Sequence, residues 1–301
     1  MGFFIYLYLY FFIFYVKKNM IYPSKRLIFY FYIKDNWLEA VSNRIHLLCL
    51  KHYAHIFDEA IFVISVDDIN NYELIHSFEM AVLDLGFTPN ISFKIVENTY
   101  LREARTFYDL IAKKLDEYDG LTFFGHNKGL TNINAYDVES VSLWILSLYY
   151  FSLEFYEEAT LELTDGRELS FGPLLNEING MDINVTEEGI IPRKHFIEKT
   201  EMSLGKEKYL YMGTFFWLNG GALYEYMRKN DKELPKLTDR WYAENFCANI
   251  FPLQLAFSHK GRFAKNYLQE GSEIDALVDL LTTKEEKEQF NEFKNNILSQ
   301  L

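Results

Sequence analysis

The chain has 301 residues, of which 49% are hydrophobic and 18% aromatic, enough to bury a sizeable core in one large or two small domains. Its formal charge of −13 argues against a protein whose main task is to bind nucleic acid, because phosphate neutralisation needs a basic surface. The two cysteines, Cys49 and Cys247, make neither a disulfide framework nor a metal cluster, and we expect them to be inert core thiols in a reducing compartment.

The N-terminal extension, residues 1–19, is strongly apolar and rich in Phe and Tyr between residues 3 and 16. It is shorter than the roughly 20 residues that span a bilayer, and it lacks the basic start and cleavage site of a secretory signal. Two interpretations stay open: a hydrophobic anchor that holds the chain at the inner, cytoplasmic face of the membrane, or a translation start at Met20. Either one predicts a cytoplasmic protein, and the first adds peripheral membrane association.

The next hundred residues alternate between apolar runs and amphipathic stretches. The runs predict strands at residues 26–33, 60–66, 91–96 and 121–124. The amphipathic stretches predict helices at residues 37–56, 72–85 and 102–118. This alternation predicts an α/β fold: a Rossmann-like sheet, parallel in this half, with helices on both faces.

The second half has a less regular pattern. We expect an aromatic helix at 136–155, irregular connections with short strands at 157–206, and a strand at 209–219 that joins the sheet. Helices are predicted at 222–229 and 237–249, and a charged helix or helix pair at 274–301. Residues 20–270 are predicted to form one domain, followed by a C-terminal helical segment at 271–301.

Polar side chains follow each of the four predicted parallel strands, at the point where the strand ends. They are Lys34 and Asp35, then Asp67, then Glu97, then His126, Asn127 and Lys128. In open α/β sheets the ligand crevice lies outside the carboxyl ends of the strands, so these residues predict a binding site. Gly125 and Gly129 would let a ligand approach the backbone, and an ammonium suits phosphate. The alternative is a polar loop without function. The chain carries neither a G-x-G-x-x-G fingerprint nor a P-loop.

Three sequence blocks carry a family resemblance. The first is Glu103-Ala-Arg-Thr106 followed by Tyr118-Asp-Gly-Leu-Thr-Phe-Phe-Gly-His-Asn-Lys-Gly129. The second is Tyr211-Met-Gly-Thr-Phe-Phe-Trp-Leu-Asn219, and the third is Arg240-Trp-Tyr-Ala-Glu-Asn-Phe246. Together they resemble bacterial glycosyltransferase-like proteins from polysaccharide loci. They are similar to the F-type proteins of rhamnan synthesis, which carry a His-x-Lys-Gly pattern. Thr214 stands where that pattern usually has Asn.

The resemblance implies a GT-A-type fold and transfer of a sugar from a nucleotide-sugar donor to a glycan or lipid-linked acceptor. A typical GT-A enzyme places Asp-x-Asp after its fourth strand to hold a divalent cation, whereas this chain has His126-Asn-Lys128 there. Mg²⁺ and Mn²⁺ prefer oxygen ligands, and this triplet offers no carboxylate. We therefore expect Lys128 to supply the positive charge at the donor diphosphate. A Mg²⁺ or Mn²⁺ cofactor stays open. Arg102 and Trp217 complete the predicted substrate-binding set, and a place in the core is the alternative for Trp217.

An inverting transferase also needs a general base for the acceptor hydroxyl. The acid of the third block, Glu244, is the first candidate and Asp239 the second, while a salt bridge between Glu244 and Arg240 is the structural alternative. Two other functions stay open. One is a non-catalytic nucleotide-sugar or glycan-binding protein on a glycosyltransferase scaffold, favoured by the missing Asp-x-Asp. The other is a hydrolase or phosphotransferase that uses His126.

Overall fold

The computed structural model describes residues 23–86, 90–127, 138–173, 175–177, 209–211, 214–238, 242–258 and 283–301. The predictions for residues 1–19 and for a domain boundary at 270–271 therefore lie outside the described residues. Across the described ranges, none of the helices combines the length and the apolar character that a membrane span requires.

The first half forms the predicted parallel sheet. Its strands are β1 (Ser24–Tyr32), β2 (Glu59–Val66), β3 (Asn90–Glu97) and β4 (Gly120–His126). The crossover helices are α1 (Val41–His52), α2 (Tyr72–Leu83) and α3 (Arg102–Leu110). The β1 strand pairs in parallel with both β2 and β4, and β3 pairs with β2 on the outside. The four carboxyl ends consequently share one edge of the sheet, as the sequence predicts.

The predicted helices are interrupted near their ends by short 3₁₀ turns. Residues 37–56 form the turn Trp37–Glu39, then α1, then the turn Ala54–Ile56. The predicted helix at 102–118 ends as α3 at Leu110 and is followed by the turn Ala112–Lys114.

The second half extends the sheet with antiparallel and mixed strands. The strands are β5 (Ser170–Phe171), β6 (Leu175–Glu177), β7 (Tyr209–Tyr211), β8 (Phe216–Asn219) and β9 (Ala256–Phe257). The seven-stranded sheet has the order β3-β2-β1-β4-β8-β5-β9, and β6 and β7 form a separate pair. The prediction of one strand at 209–219 was thus wrong in part, because Thr214 has a left-handed backbone (φ 56°) that ends the extended run.

The remaining helices are α4 (Val138–Tyr149), α5 (Tyr156–Thr164), α6 (Gly220–Lys229), α7 (Tyr242–Ile250) and α8 (Lys284–Leu298). The α5 helix corrects the expectation of an irregular chain from residue 157. Its residues Ala159 and Leu163 lie four apart, on the same side of a helix, and both are buried in the core. The α4 helix continues as a π-helical segment, Tyr150–Glu154. A capping box between Thr283 and Glu286 fixes the start of α8.

Aromatic cores lie on both faces of the sheet. On one face Phe29 and Phe31 of β1 pack against His46 of α1 and Tyr149 of α4. On the other face Phe107 of α3 packs against Phe124, Phe216 and Phe246. Each fully buried Phe stabilises the fold by about 1.5–3 kcal/mol. The fold is α/β, with a Rossmann-like mixed sheet flanked by helices.

The two cysteines lie in this core, as expected. Cys49 and Cys247 are buried free thiols. Burial raises the pKa of Cys247 to about 12 and that of Cys49 well above its ordinary value, so neither forms a thiolate at neutral pH.

Candidate functional site

Three strand ends are tied together through the carboxylate of Asp67. The Tyr32 hydroxyl, at the end of β1, lies 2.9 and 2.8 Å from the two carboxylate oxygens, and Asn98 Nδ2, just after β3, donates to Oδ1 at 2.9 Å. These hydrogen bonds, that of Asn98 first, lower the pKa of Asp67, and the nearby Lys34 ammonium lowers it further. Asp67 is therefore a fixed, exposed anion at the carboxyl edge of the sheet.

The end of β4 places an imidazole beside a carboxylate. His126 Nε2 lies 3.9 Å from Glu103 Oε1, and the two side chains are only 9% and 13% exposed. Glu103 stands in the first turn of α3, where the helix dipole favours a negative charge. Glu103 was not among the residues predicted to form the site. Its place in the first sequence block, 23 residues before His126, is the signal that could have paired the two.

A second polar pair lies where β8 begins. Thr214 Oγ1 donates to Glu244 Oε1 at 3.3 Å, and Glu244 is 6% exposed. The antiparallel pairing of β4 with β8 ends with Phe124 opposite Phe216. The Phe215 ring, next along the chain from Thr214, lies 6.5 Å from the His126 imidazole. The second block therefore approaches the carboxyl end of β4, and Thr214 links it to Glu244 of the third block.

A small cleft opens beside this edge, between the sheet and α3. Its volume is about 50 Å³, and its lining includes Tyr30, Lys94, Glu97, Arg102 and Arg105. Burial raises the pKa of the Tyr30 hydroxyl strongly, so that group stays protonated and can donate a hydrogen bond. A space of this size holds a few atoms of a ligand, and a nucleotide would have to extend outside it.

The structure brings most of the predicted binding residues to one edge. Lys34, Asp35, Asp67, Glu97, Arg102 and His126 follow or adjoin the carboxyl ends of β1 to β4. Lys128 and Asp239 lie outside the described residues, as does Arg240, the predicted ion-pair partner of Glu244.

Asn127 is a structural residue, which corrects its predicted role in substrate binding. Its side chain accepts from the Tyr32 N–H at 2.9 Å and donates to the Tyr32 carbonyl at 2.8 Å and to Asn43 Oδ1 at 3.1 Å. The amide is thus occupied by the protein itself, and only 8% of the residue is exposed.

Trp217 is likewise a core residue, which corrects its assignment to substrate. It is 1% exposed, and its indole stacks with Phe57 at a centroid distance of 5.5 Å. Its Nε1 donates to the carbonyl of Ser152, in the π-helical segment, at 2.9 Å. No face of the ring is available to a sugar or a base.

A divalent cation needs several oxygen ligands close together. Within those ranges, no three His, Cys, Asp or Glu side chains gather closely enough to hold a metal ion. Glu103 and His126 supply two groups at most, and Asp67 is occupied by Tyr32 and Asn98. The described residues therefore do not by themselves fit Mg²⁺ or Mn²⁺.

Comparison with known proteins adds no family. A scan against protein-family models gives no match, and a search of the curated proteins finds no similar sequence. The likeness to polysaccharide-locus proteins therefore rests on the three sequence blocks.

Proposed function

We propose that this protein is a glycosyltransferase that moves a sugar from a nucleotide-activated donor to a surface-polysaccharide or other glycan acceptor. One observation carries the proposal. At the carboxyl end of β4, His126 of the first block lies beside Glu103 and near the Phe215 ring of the second block, and Thr214, next to Phe215, bonds to Glu244 of the third block. That edge is where open α/β sheets bind their ligands.

The donor would lie along the carboxyl edge. Its diphosphate would meet His126, with Lys128 supplying the compact positive charge that stabilises the leaving group as negative charge develops on it. The nucleoside would extend towards Asp67, whose carboxylate is already oriented by Tyr32 and Asn98 and can accept from ribose hydroxyls or from an N–H of the base.

Glu244 is the proposed general base. The acceptor oxygen attacks the anomeric carbon, the bond from that carbon to the diphosphate oxygen breaks, and the hydroxyl proton passes to Glu244. The Thr214 hydroxyl bonds to Oε1 and would hold the carboxylate in one orientation. Burial of a carboxylate strengthens its interactions with nearby charge, which suits a base in a closed site.

A non-catalytic nucleotide-sugar or glycan-binding protein is the second candidate, and one observation favours it. The His126-Asn-Lys128 triplet contains no carboxylate, so it cannot hold a cation as the Asp-x-Asp pair of a metal-dependent enzyme would. Both candidates bind the donor at the same edge, and they differ in turnover.

The test is a donor panel with two matched variants. Purified protein is titrated with UDP-, GDP- and dTDP-sugars by calorimetry, and nucleotide release is followed with and without glycan acceptors. Glu244→Gln should keep donor affinity and lose transfer by about 10²–10⁴-fold. Glu225→Gln removes an exposed carboxylate on α6 that pairs with Arg228 and should behave as wild type. Binding without turnover in the wild type would favour the second candidate. No binding to any donor would refute the transferase and the nucleotide-sugar-binding form of the second candidate.

A further inference from the structure

His126, at the end of β4, faces a carboxylate that belongs to a different element. The distance from His126 Nε2 to Oε1 of Glu103, on α3, is 3.9 Å, and both side chains are nearly buried. A neighbouring carboxylate favours the charged form of an imidazole, whereas burial opposes it. Removal of the Glu103 charge would therefore disfavour the charged form of the imidazole.

The other described groups around this pair lie on β1, on α3 and just before β8. Tyr30 on β1 pairs with His126 in the strand register, and its hydroxyl lies within electrostatic reach of both Glu103 and Arg102 on α3. Just before β8, the Phe215 ring lies 6.5 Å from the imidazole, and its neighbour Thr214 bonds to Glu244. The tyrosine stays neutral because burial raises its pKa. Among the described residues, Glu103 faces His126 at 3.9 Å, and the charged Arg102 precedes Glu103 on α3.

We propose that Glu103 is a positioning residue that holds His126 as an imidazolium near neutral pH. In that form, His126 donates a charge-assisted hydrogen bond to the diphosphate of the donor. This inference rests on the proposed function and deepens it. An ionised donor bonds to phosphate more strongly than a neutral one. The edge would thus gain a second cationic group at a place where the residue pattern offers no metal-binding carboxylate pair.

A purely structural role makes a different prediction. If Glu103 only braces α3 against β4, removing its charge lowers stability and leaves the titration of His126 and the pH dependence of binding where they were. If Glu103 holds the proton on His126, nucleotide affinity falls as the pH rises through the pKa of His126, and the fall moves to lower pH when Glu103 is neutralised.

The experiment combines a direct and a functional readout on the full chain. The pKa of His126 is measured by NMR of imidazole-labelled protein, with His126→Gln used to assign its resonance among the seven histidines. The same samples are titrated with UDP and GDP by calorimetry between about pH 6 and 8, the range in which imidazole titrates. The variants are Glu103→Gln, nearly isosteric but neutral, and Glu103→Asp, which keeps the charge. Glu73→Gln is the control, because it removes a first-turn carboxylate from α2 instead of α3.

We expect Glu103→Gln to lower the pKa of His126 and to weaken nucleotide binding by about tenfold at neutral pH, with Glu103→Asp in between and Glu73→Gln unchanged. An unchanged pKa of His126 in Glu103→Gln overturns the inference. The inference is also overturned if the nucleotide affinity does not change with pH around the pKa of His126. If the wild type binds neither nucleotide, the proposed function and the diphosphate contact are refuted. The effect of Glu103 on the pKa of His126 is still tested in that case, because the NMR titration requires no ligand.

Discussion

Asn127 completes the pairing of β1 with β4 by using its side chain in place of backbone. Its amide accepts from the N–H of Tyr32 and donates to the carbonyl of the same residue, at the point where β4 leaves the sheet. The end of β1 is thereby fixed, and with it the Tyr32 hydroxyl that orients Asp67. A residue that resembles a ligand contact in the sequence instead supports the frame of the site.

Replacing Asn127 should therefore be costly for the fold. Asn127→Ala leaves the Tyr32 N–H and carbonyl and the Asn43 amide without their partner, and we expect a loss of about 2–4 kcal/mol in the free energy of unfolding. Urea denaturation at constant m-value measures it. Asn71→Ala removes the N-cap of α2 and should cost only about 1 kcal/mol. Equal costs for the two variants would contradict the structural role of Asn127.

The hydrogen bonds to Asp67 predict a pH-dependent stability. They lower its pKa in the folded state, so their contribution is present above the unfolded pKa of about 3.9 and is lost as the pH falls through the lower folded value. Tyr32→Phe removes the two hydroxyl contacts and should raise the pKa of Asp67, which carboxyl NMR measures. The stability difference from wild type should be a few tenths of a kcal/mol at neutral pH, because the group is exposed, and should vanish in acid. Tyr72→Phe is the control, because Tyr72 is an exposed residue at the start of α2. A difference that persists below the folded pKa would assign the effect to packing.

Thr214 holds a strained backbone conformation. A β-branched residue with φ 56° costs about 1–2 kcal/mol relative to the right-handed region, whereas Asn tolerates it. The Asn that the similar proteins usually have at this place in the second block would suit the left-handed backbone better than Thr. We expect Thr214→Asn to raise the free energy of unfolding by about 0.5–1 kcal/mol and to keep a donor for Glu244. Thr214→Val keeps the strain, removes the hydroxyl and should be less stable than wild type. Loss of stability in Thr214→Asn would contradict this explanation.

Trp217 should matter for stability and not for nucleotide affinity. Trp217→Phe leaves a cavity and removes the donor to the Ser152 carbonyl, so we expect a loss of about 2–3 kcal/mol. UDP affinity should stay within about twofold. Trp37→Phe provides the comparison, because its partner Ser77 is exposed and can bond to water instead; its cost should be smaller. Weakened nucleotide binding at unchanged stability would restore a ligand role for Trp217.

The parallel half of the fold was predictable because its signals are local. The apolar runs of β1, β2 and β4 are buried, helical patterns separate them, and chain chirality leaves few ways to connect them. The shared edge of Asp67 and His126 follows from that topology alone. Strand β3 was also found, although its burial alternates because it lies at the edge of the sheet.

Features that depend on a single dihedral or on distant partners were not predictable. Nothing in the apolar run at 209–219 reveals that Thr214 turns left-handed and separates β7 from β8. Asn127 and Trp217 have the residue types of a binding site, and only their partners, Tyr32 and Ser152, show them to be structural. The approach of Glu103 to His126 depends on the packing of α3 against β4. The first block contains both residues, but their spacing does not by itself show a contact.

The central claim is that the donor diphosphate binds at the carboxyl end of β4, and titration with a nucleoside diphosphate tests it most directly. UDP and GDP are titrated into wild type, into Lys128→Ala, and into the control Lys51→Ala on α1. Loss of a charge-assisted contact worth about 1.5–3 kcal/mol predicts at least a tenfold weakening in Lys128→Ala and none in Lys51→Ala. Lys128→Arg should not restore full affinity, because a planar fork does not replace a compact ammonium. Identical affinities of wild type and Lys128→Ala would contradict the account.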